Sequence, residues 1–159
     1  YAYRFWKSVN WLGKQIEEQK RLTQATILQN VYELVRATRK SRECVYRKSD
    51  QLMAIQDEHS YRSLRDDQPE LYEAFKEATN CNQYIGVLIQ HNLIDRDIIL
   101  DESYTTIARL HEIVGHLIKL EQEEMKNTDY KRPYMELAEA ATKRWKAVTS
   151  SNNQNSTDN

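Results

Sequence analysis

Glycine occurs three times and proline twice in 159 residues. That is far below average usage, so the many tight turns of an all-β sandwich have no residues to make them. Cysteine is also scarce: Cys44 and Cys81 set no disulfide framework, have no CxxC spacing, and suit free, partly buried thiols in a reducing compartment. No run of roughly 20 apolar residues exists, so nothing in the chain itself reads as a membrane span. A Gly-rich phosphate loop, a GxSxG elbow and a Cys placed beside a His are all missing.

What is present favours helix. Glu, Lys, Arg, Gln, Leu and Ala dominate, and the length suits one domain with a real core. The expected fold is all-α: a bundle of about four to five helices. The net charge of −1 hides a strong segregation. Residues 1–48 carry eleven Lys or Arg against four Glu, a net +7, and residues 49–159 carry twelve against twenty Asp or Glu, a net −8. Either the basic segment packs on the acidic remainder, or it meets a polyanionic neighbour.

The opening segment, YAYRFWKSVNWLGK, interleaves aromatic and basic side chains. Tyr and Trp favour the bilayer interface, and Lys and Arg flank the cytoplasmic end of a spanning helix. Tyr1, Tyr3, Arg4, Phe5, Trp6, Lys7 and Trp11 are therefore candidate membrane-interface residues, with the membrane engaged through a segment ahead of Tyr1. The plainer alternative is an amphipathic helix start with Phe5, Val9, Leu12 and Ile16 on one face. A helix from Tyr3 to Tyr46 would be about 66 Å long, too long to lie on a globule with a radius of gyration of about 15 Å. Its first turns are expected to project as a stalk, leaving the bundle near Glu17–Arg21 and offering a surface for homo-oligomers. Leu22, Ile27, Leu28, Val31, Leu34 and Val35 then form a core-facing stripe. The expected division is a stalk over 1–21, a bundle over 22–148, and a disordered polar tail over 149–159.

Further along, a helix is expected to reach about Lys48 and another to run from Ser49 or Asp50 to about Arg62, although a continuous helix fits equally well. Asp66-Asp67-Gln68-Pro69 places Pro at a first helical position. Leu71–Leu100 holds the longest apolar concentration and reads as a helical hairpin. Asn92 closes the first helix in a left-handed conformation and Asp95 caps the second, which carries Ile98, Ile99, Ile107, Leu110, Val114, Leu117, Ile118 and Met125 and is open to a break at Asp101–Ser103. Pro133 begins a last helix through Trp145.

Chemistry is harder to place. His111 and His116 are five residues apart, about 140° around a helix, whereas a zinc-protease helix needs a separation of four. No Glu-x-x-His pair occurs for a di-iron bundle. The chain therefore reads as non-enzymatic, with no cofactor and no metal site. Arg36, Arg39, Lys40 and Arg42 are candidate phosphate contacts, with Arg47 and Lys48 beyond them; nucleic-acid binding through residues 36–48 is the alternative function, less favoured because the remainder is acidic. Asn80 and Asn82 fall in an apolar helix, where a buried amide needs partners such as the elbow backbone or Tyr104.

The elbow NCNQYIGVLIQHNLIDRDII and the ending RPYMELAEAATKRW resemble an uncharacterised prokaryotic family of helical domains, generally carried behind one N-terminal transmembrane helix. The likeness spans residues 40–147. Asn80 matches an Asn of that family, Gln83 stands where it has an acidic residue, Asn92–Asp95 match its turn with Asn in place of Gly, and Trp145 matches a terminal aromatic. The resemblance implies a membrane-anchored helical domain facing the cytoplasm, and no activity.

Overall fold

A computed structural model describes the backbone of residues 2–155 and the side chains of residues 11–153. Every element in it is helical. Seven helices follow in order, more than the four to five expected: α1 (Ala2–Ala37), α2 (Arg39–Arg47), α3 (Ser49–Met53), α4 (Glu58–Asp67), α5 (Pro69–Gln90), α6 (Arg96–Met125) and α7 (Arg132–Asn155).

The extra helices come from breaks at Thr38 and at Ala54–Asp57 that the apolar spacing does not mark, whereas the break at Lys48 matches the expected restart at Ser49. Thr38 leaves helical geometry at φ −92°, ψ 6°, and Lys48 at φ −106°, ψ 21°. The first break is held by side chains: Thr38 Oγ1 donates to the Leu34 carbonyl at 3.0 Å, and the Arg42 guanidinium donates to Thr38 Oγ1 and the Val35 carbonyl, both at 2.7 Å. Arg42 thereby satisfies a carbonyl that the end of α1 leaves unpaired. After α3 the chain crosses Ala54–Asp57, with Gln56 Nε2 donating to the Met53 carbonyl at 2.7 Å. Asp57 then caps α4, its Oδ1 accepting from the Ser60 amide at 2.7 Å.

The two ends also depart from expectation. Residues 11–26 of α1 are all exposed, Leu22 among them, and the chain first turns inward at Ile27, Leu28 and the buried Val31. The core-facing stripe thus begins five residues later than Leu22, whose side chain is 59% exposed. At the other end α7 continues to Asn155, past Thr149, where a disordered tail was expected. No breaker interrupts it, and the Thr149, Ser150 and Ser151 hydroxyls donate back to carbonyls of the preceding turn.

The elbow matches its sequence signals. Asn92 has φ 55°, and Asp95 Oδ1 accepts from the Asp97 amide at 2.8 Å. No break occurs at Asp101–Ser103, and Ile98 and Met125 face solvent. Packing, however, does not follow the hairpin. α5 and α6 touch each other sparingly, whereas α7 packs along both, and α2 packs on α5. α7 is therefore the wedge that closes the core around Phe75, Leu110, Val114, Ile118, Tyr134 and Ala138. Its start lies so close to α5 that a Cβ on Gly86 would come within 2.5 Å of the Pro133 carbonyl oxygen. Gln83 completes the joint: its Oε1 accepts from the Tyr134 amide at 2.9 Å, capping α7 from a neighbouring helix.

Candidate functional site: a cationic groove and a buried lysine

The basic stretch 36–48 is divided by the break at Thr38. Arg36 stays on α1, exposed, and Lys40 points to solvent on α2. Arg39 and Arg42 instead line an open groove of about 520 Å³, where Tyr46 of α2, Thr106 and Arg109 of α6 and Trp145 of α7 meet them. The four candidate phosphate contacts are thus not one surface: two are brought together and two are not.

The groove is organised by its own side chains. The Arg109 guanidinium sits 4.3 Å from the Tyr46 ring centroid, a cation–π contact that fixes its plane and leaves its edge free to donate. Arg39 Nε pairs with Glu43 at 3.0 Å on the exposed side of α2. Tyr46 donates weakly to the Thr106 carbonyl at 3.5 Å, and burial pushes its hydroxyl pKa up. Sequence alone missed Arg109 because it lies 67 and 70 positions from Arg42 and Arg39; the packing of α2 on α6 makes them neighbours.

Charge segregation survives folding. Among the described residues, the ion pairs of the basic segment are Arg21–Glu18 and Arg39–Glu43, both internal to it. The acidic remainder pairs within itself, through Arg65–Glu124, Lys76–Glu121, Arg132–Glu136 and Arg144–Asp101. Packing of one half on the other therefore does not neutralise the difference by ion pairing. Hydroxyls do join them: Ser41 donates to Glu77 and Tyr46 to the Thr106 carbonyl, and the Tyr32 hydroxyl pKa is pushed up to about 12, chiefly by Glu102 of α6.

Of the candidate membrane-interface residues, Trp11 alone falls among the described side chains, and it is 58% exposed. Tyr1 lies outside the described residues, and the side chains of Tyr3, Arg4, Phe5, Trp6 and Lys7 lie outside the described side chains. Asn80 is exposed and Asn82 is buried. His111 and His116 face different neighbours: His116 Nε2 lies 3.0 Å from the Leu52 carbonyl, while the His111 ring packs over Gly115 and beside Tyr134.

A second polar group lies under the α6–α7 connection. Lys131 is 4% exposed and takes φ 53°, a left-handed conformation that costs a non-glycine residue of order 1 kcal/mol or more. Its Nζ donates to Thr79 Oγ1 at 2.8 Å, lies 5.8 Å from the Phe75 ring centroid, and is 4.0 Å from Glu121. Glu121 accepts more closely from Lys76, which also donates to the Tyr130 hydroxyl at 2.8 Å. Desolvation dominates at Lys131 and brings its amine down to about 7, with Glu121 offsetting only part of the loss. Lys76, held by Glu121 and Tyr130, stays above its ordinary value despite its own burial. The cluster ties α5, α6 and the start of α7 together, and Lys131 is closed off from solvent.

No family model matches the chain, and no curated protein or solved structure is significantly similar to it. The resemblance of residues 40–147 to the helical family rests on the quoted motifs. At Gln83 the structure gives the position a role that needs an acceptor and not a carboxylate, the capping of α7.

Proposed function

We propose that the chain is a non-enzymatic helical interaction domain, held at the cytoplasmic side of a membrane through the N-terminal end of α1. The observation that carries it is the exposure of residues 11–26, with Trp11, Leu12, Ile16 and Leu22 at 58, 50, 65 and 59%. A helix of sixteen residues, about 24 Å, that leaves four large apolar side chains in water contributes nothing to the core. It gains on meeting a partner, since full burial of each such side chain is worth about 1.5–3 kcal/mol. The interleaved aromatic and basic residues ahead of it favour a bilayer surface as the setting. α1 is then an arm that displays the bundle, and Leu12 and Ile16 are its contact residues for a second copy.

Two measurements test the two parts. Fractionating cells that express the complete gene tests the setting: recovery wholly in the soluble fraction refutes the tether. Light scattering on the wild-type chain and on Leu12→Glu/Ile16→Glu tests self-association: a dimer or higher mass lost in the variant is expected, and identical monomer masses refute it.

A further inference from the structure

We propose that the groove between α2, α6 and α7 binds a small phosphate monoester carrying a flat ring, the chemistry of a nucleoside monophosphate. Three guanidiniums line one concavity, and a single carboxylate, Glu43, lines it with them. That carboxylate is engaged by Arg39, which leaves Arg42 and Arg109 with no carboxylate partner among the described residues.

Both of these guanidiniums are already oriented. Arg42 is pinned by Thr38 and the Val35 carbonyl, and Arg109 by the Tyr46 ring. Arg109 keeps a planar fork that matches the spacing of phosphate oxygens, while Arg42, with both terminal nitrogens already donating, adds a fixed positive charge that loses little side-chain freedom on binding. A monoester dianion matches the local balance of three positive charges against one negative.

The ring follows from Trp145. It is half-buried, lines the cationic groove, and also lines an adjoining cavity of about 440 Å³ with Ala108, His111 and Thr142. Burial lowers the His111 pKa, so at neutral pH its ring is uncharged. Glu112 and Lys146, which also line the adjoining space, offset each other in charge, so it is less cationic than the groove and faces an indole, which suits a planar heterocycle. Both cavities fall within the range of about 300–1,000 Å³ usual for small-molecule clefts. A phosphate on Arg42 and Arg109 with its ring against Trp145 uses both. The site lies on the bundle, away from residues 11–26 of α1, so it does not depend on the proposed role of the arm.

Titration calorimetry on the whole chain with adenosine 5′-monophosphate tests it, with adenosine, inorganic phosphate and a 20-nucleotide single-stranded DNA as comparison probes. The expected result is a Kd below about 1 mM for the monophosphate, at least about tenfold weaker binding of adenosine or phosphate alone, and a loss of about tenfold or more in Arg109→Ala and in Trp145→Leu. Arg36→Ala and Lys40→Ala, which lie outside the groove, should stay within about twofold of wild type. Circular dichroism establishes that each variant is folded, and the two groove variants are independent of each other. No measurable monophosphate binding overturns the proposal, as does equal binding of phosphate alone or an equal loss in Arg36→Ala. Binding of the single strand without the monophosphate also overturns it, and would assign the same arginines to nucleic acid.

Discussion

Replacing Lys131 by Met removes a buried amine while keeping most of the apolar stem, and its effect should depend on pH in a calculable way. The amine falls from 10.5 to about 7 in the folded chain because burial disfavours its charge. Between those values the unfolded chain binds nearly one more proton than the folded one. Stability therefore rises with pH in this window, approaching about 1.4 kcal/mol per pH unit. The stabilising effect is complete above the unfolded value and is lost as pH falls through the folded one. Integrated from pH 7 to pH 9, the wild-type chain should gain about 2 kcal/mol in unfolding free energy. The other shifted groups do not mimic this. His111 is lowered and acts below the window, while Cys81 and Lys76 are raised and act with opposite sign, the thiol from about 9 upward and the amine from about 10.5 upward. Urea unfolding at constant ionic strength from pH 6 to 9 measures the slope. Lys131→Met should be more stable than wild type at pH 6 and flat from pH 7 to 9. A wild-type profile flat to within about 0.5 kcal/mol across pH 7–9, or a variant that keeps the slope, would refute the assignment of a largely uncharged buried amine.

Three further changes probe the joint between α5 and α7. Gln83→Ala leaves the Tyr134 amide uncapped and should cost about 1 kcal/mol by urea unfolding, whereas Gln83→Glu should be neutral or better, since a carboxylate suits a helix N-terminus. Gly86→Ala drives a methyl to within 2.5 Å of the Pro133 carbonyl oxygen and should cost about 2 kcal/mol or more, seen as a lowered Tm. Tyr134→Phe deletes a buried hydroxyl that has no hydrogen-bond partner among the described residues, and should stabilise the chain by about 1 kcal/mol in the same assay.

What could be read from the sequence was whatever rests on local chemistry. Asn92 and Asp95 mark the elbow because a left-handed cap and an N-cap each need particular side chains, and Pro69 opens α5 for the same reason. The break at Lys48 was legible as one of two alternatives, but those at Thr38 and at Ala54–Asp57 were not, because no glycine or proline marks either. One is held by Arg42, a contact that exists only once the chain has bent. The packing of α7 between α5 and α6 was likewise hidden: the hairpin invited the assumption that its two arms pair. At the candidate site the sequence supplied Arg39 and Arg42 but grouped them with Arg36 and Lys40, since helical periodicity was carried through Thr38. Arg109 and Trp145 belong to the groove by tertiary packing alone. Leu22 was assigned to the core for having the right spacing, but spacing defines a face and not what covers it.

The unneutralised charge of the first 48 residues bears on both proposals, and it shows which experiment separates them. Because Arg21 and Arg39 pair inside the basic segment and the acidic half pairs within itself, no ion pair among the described residues cancels the positive charge of that segment against the acidic half. An anionic bilayer and a phosphate monoester would both feel it, and salt would weaken both over a screening length of about 8 Å at physiological strength. Salt dependence is therefore common to the two and distinguishes neither. The apolar contacts differ, since the arm offers Leu12 and Ile16 while the groove offers Trp145. Leu12→Glu/Ile16→Glu should release the chain from a partner copy and leave monophosphate binding intact. Trp145→Leu should do the reverse. A single variant that abolished both would mean that arm and groove form one site, and the division of labour between them would have to be abandoned.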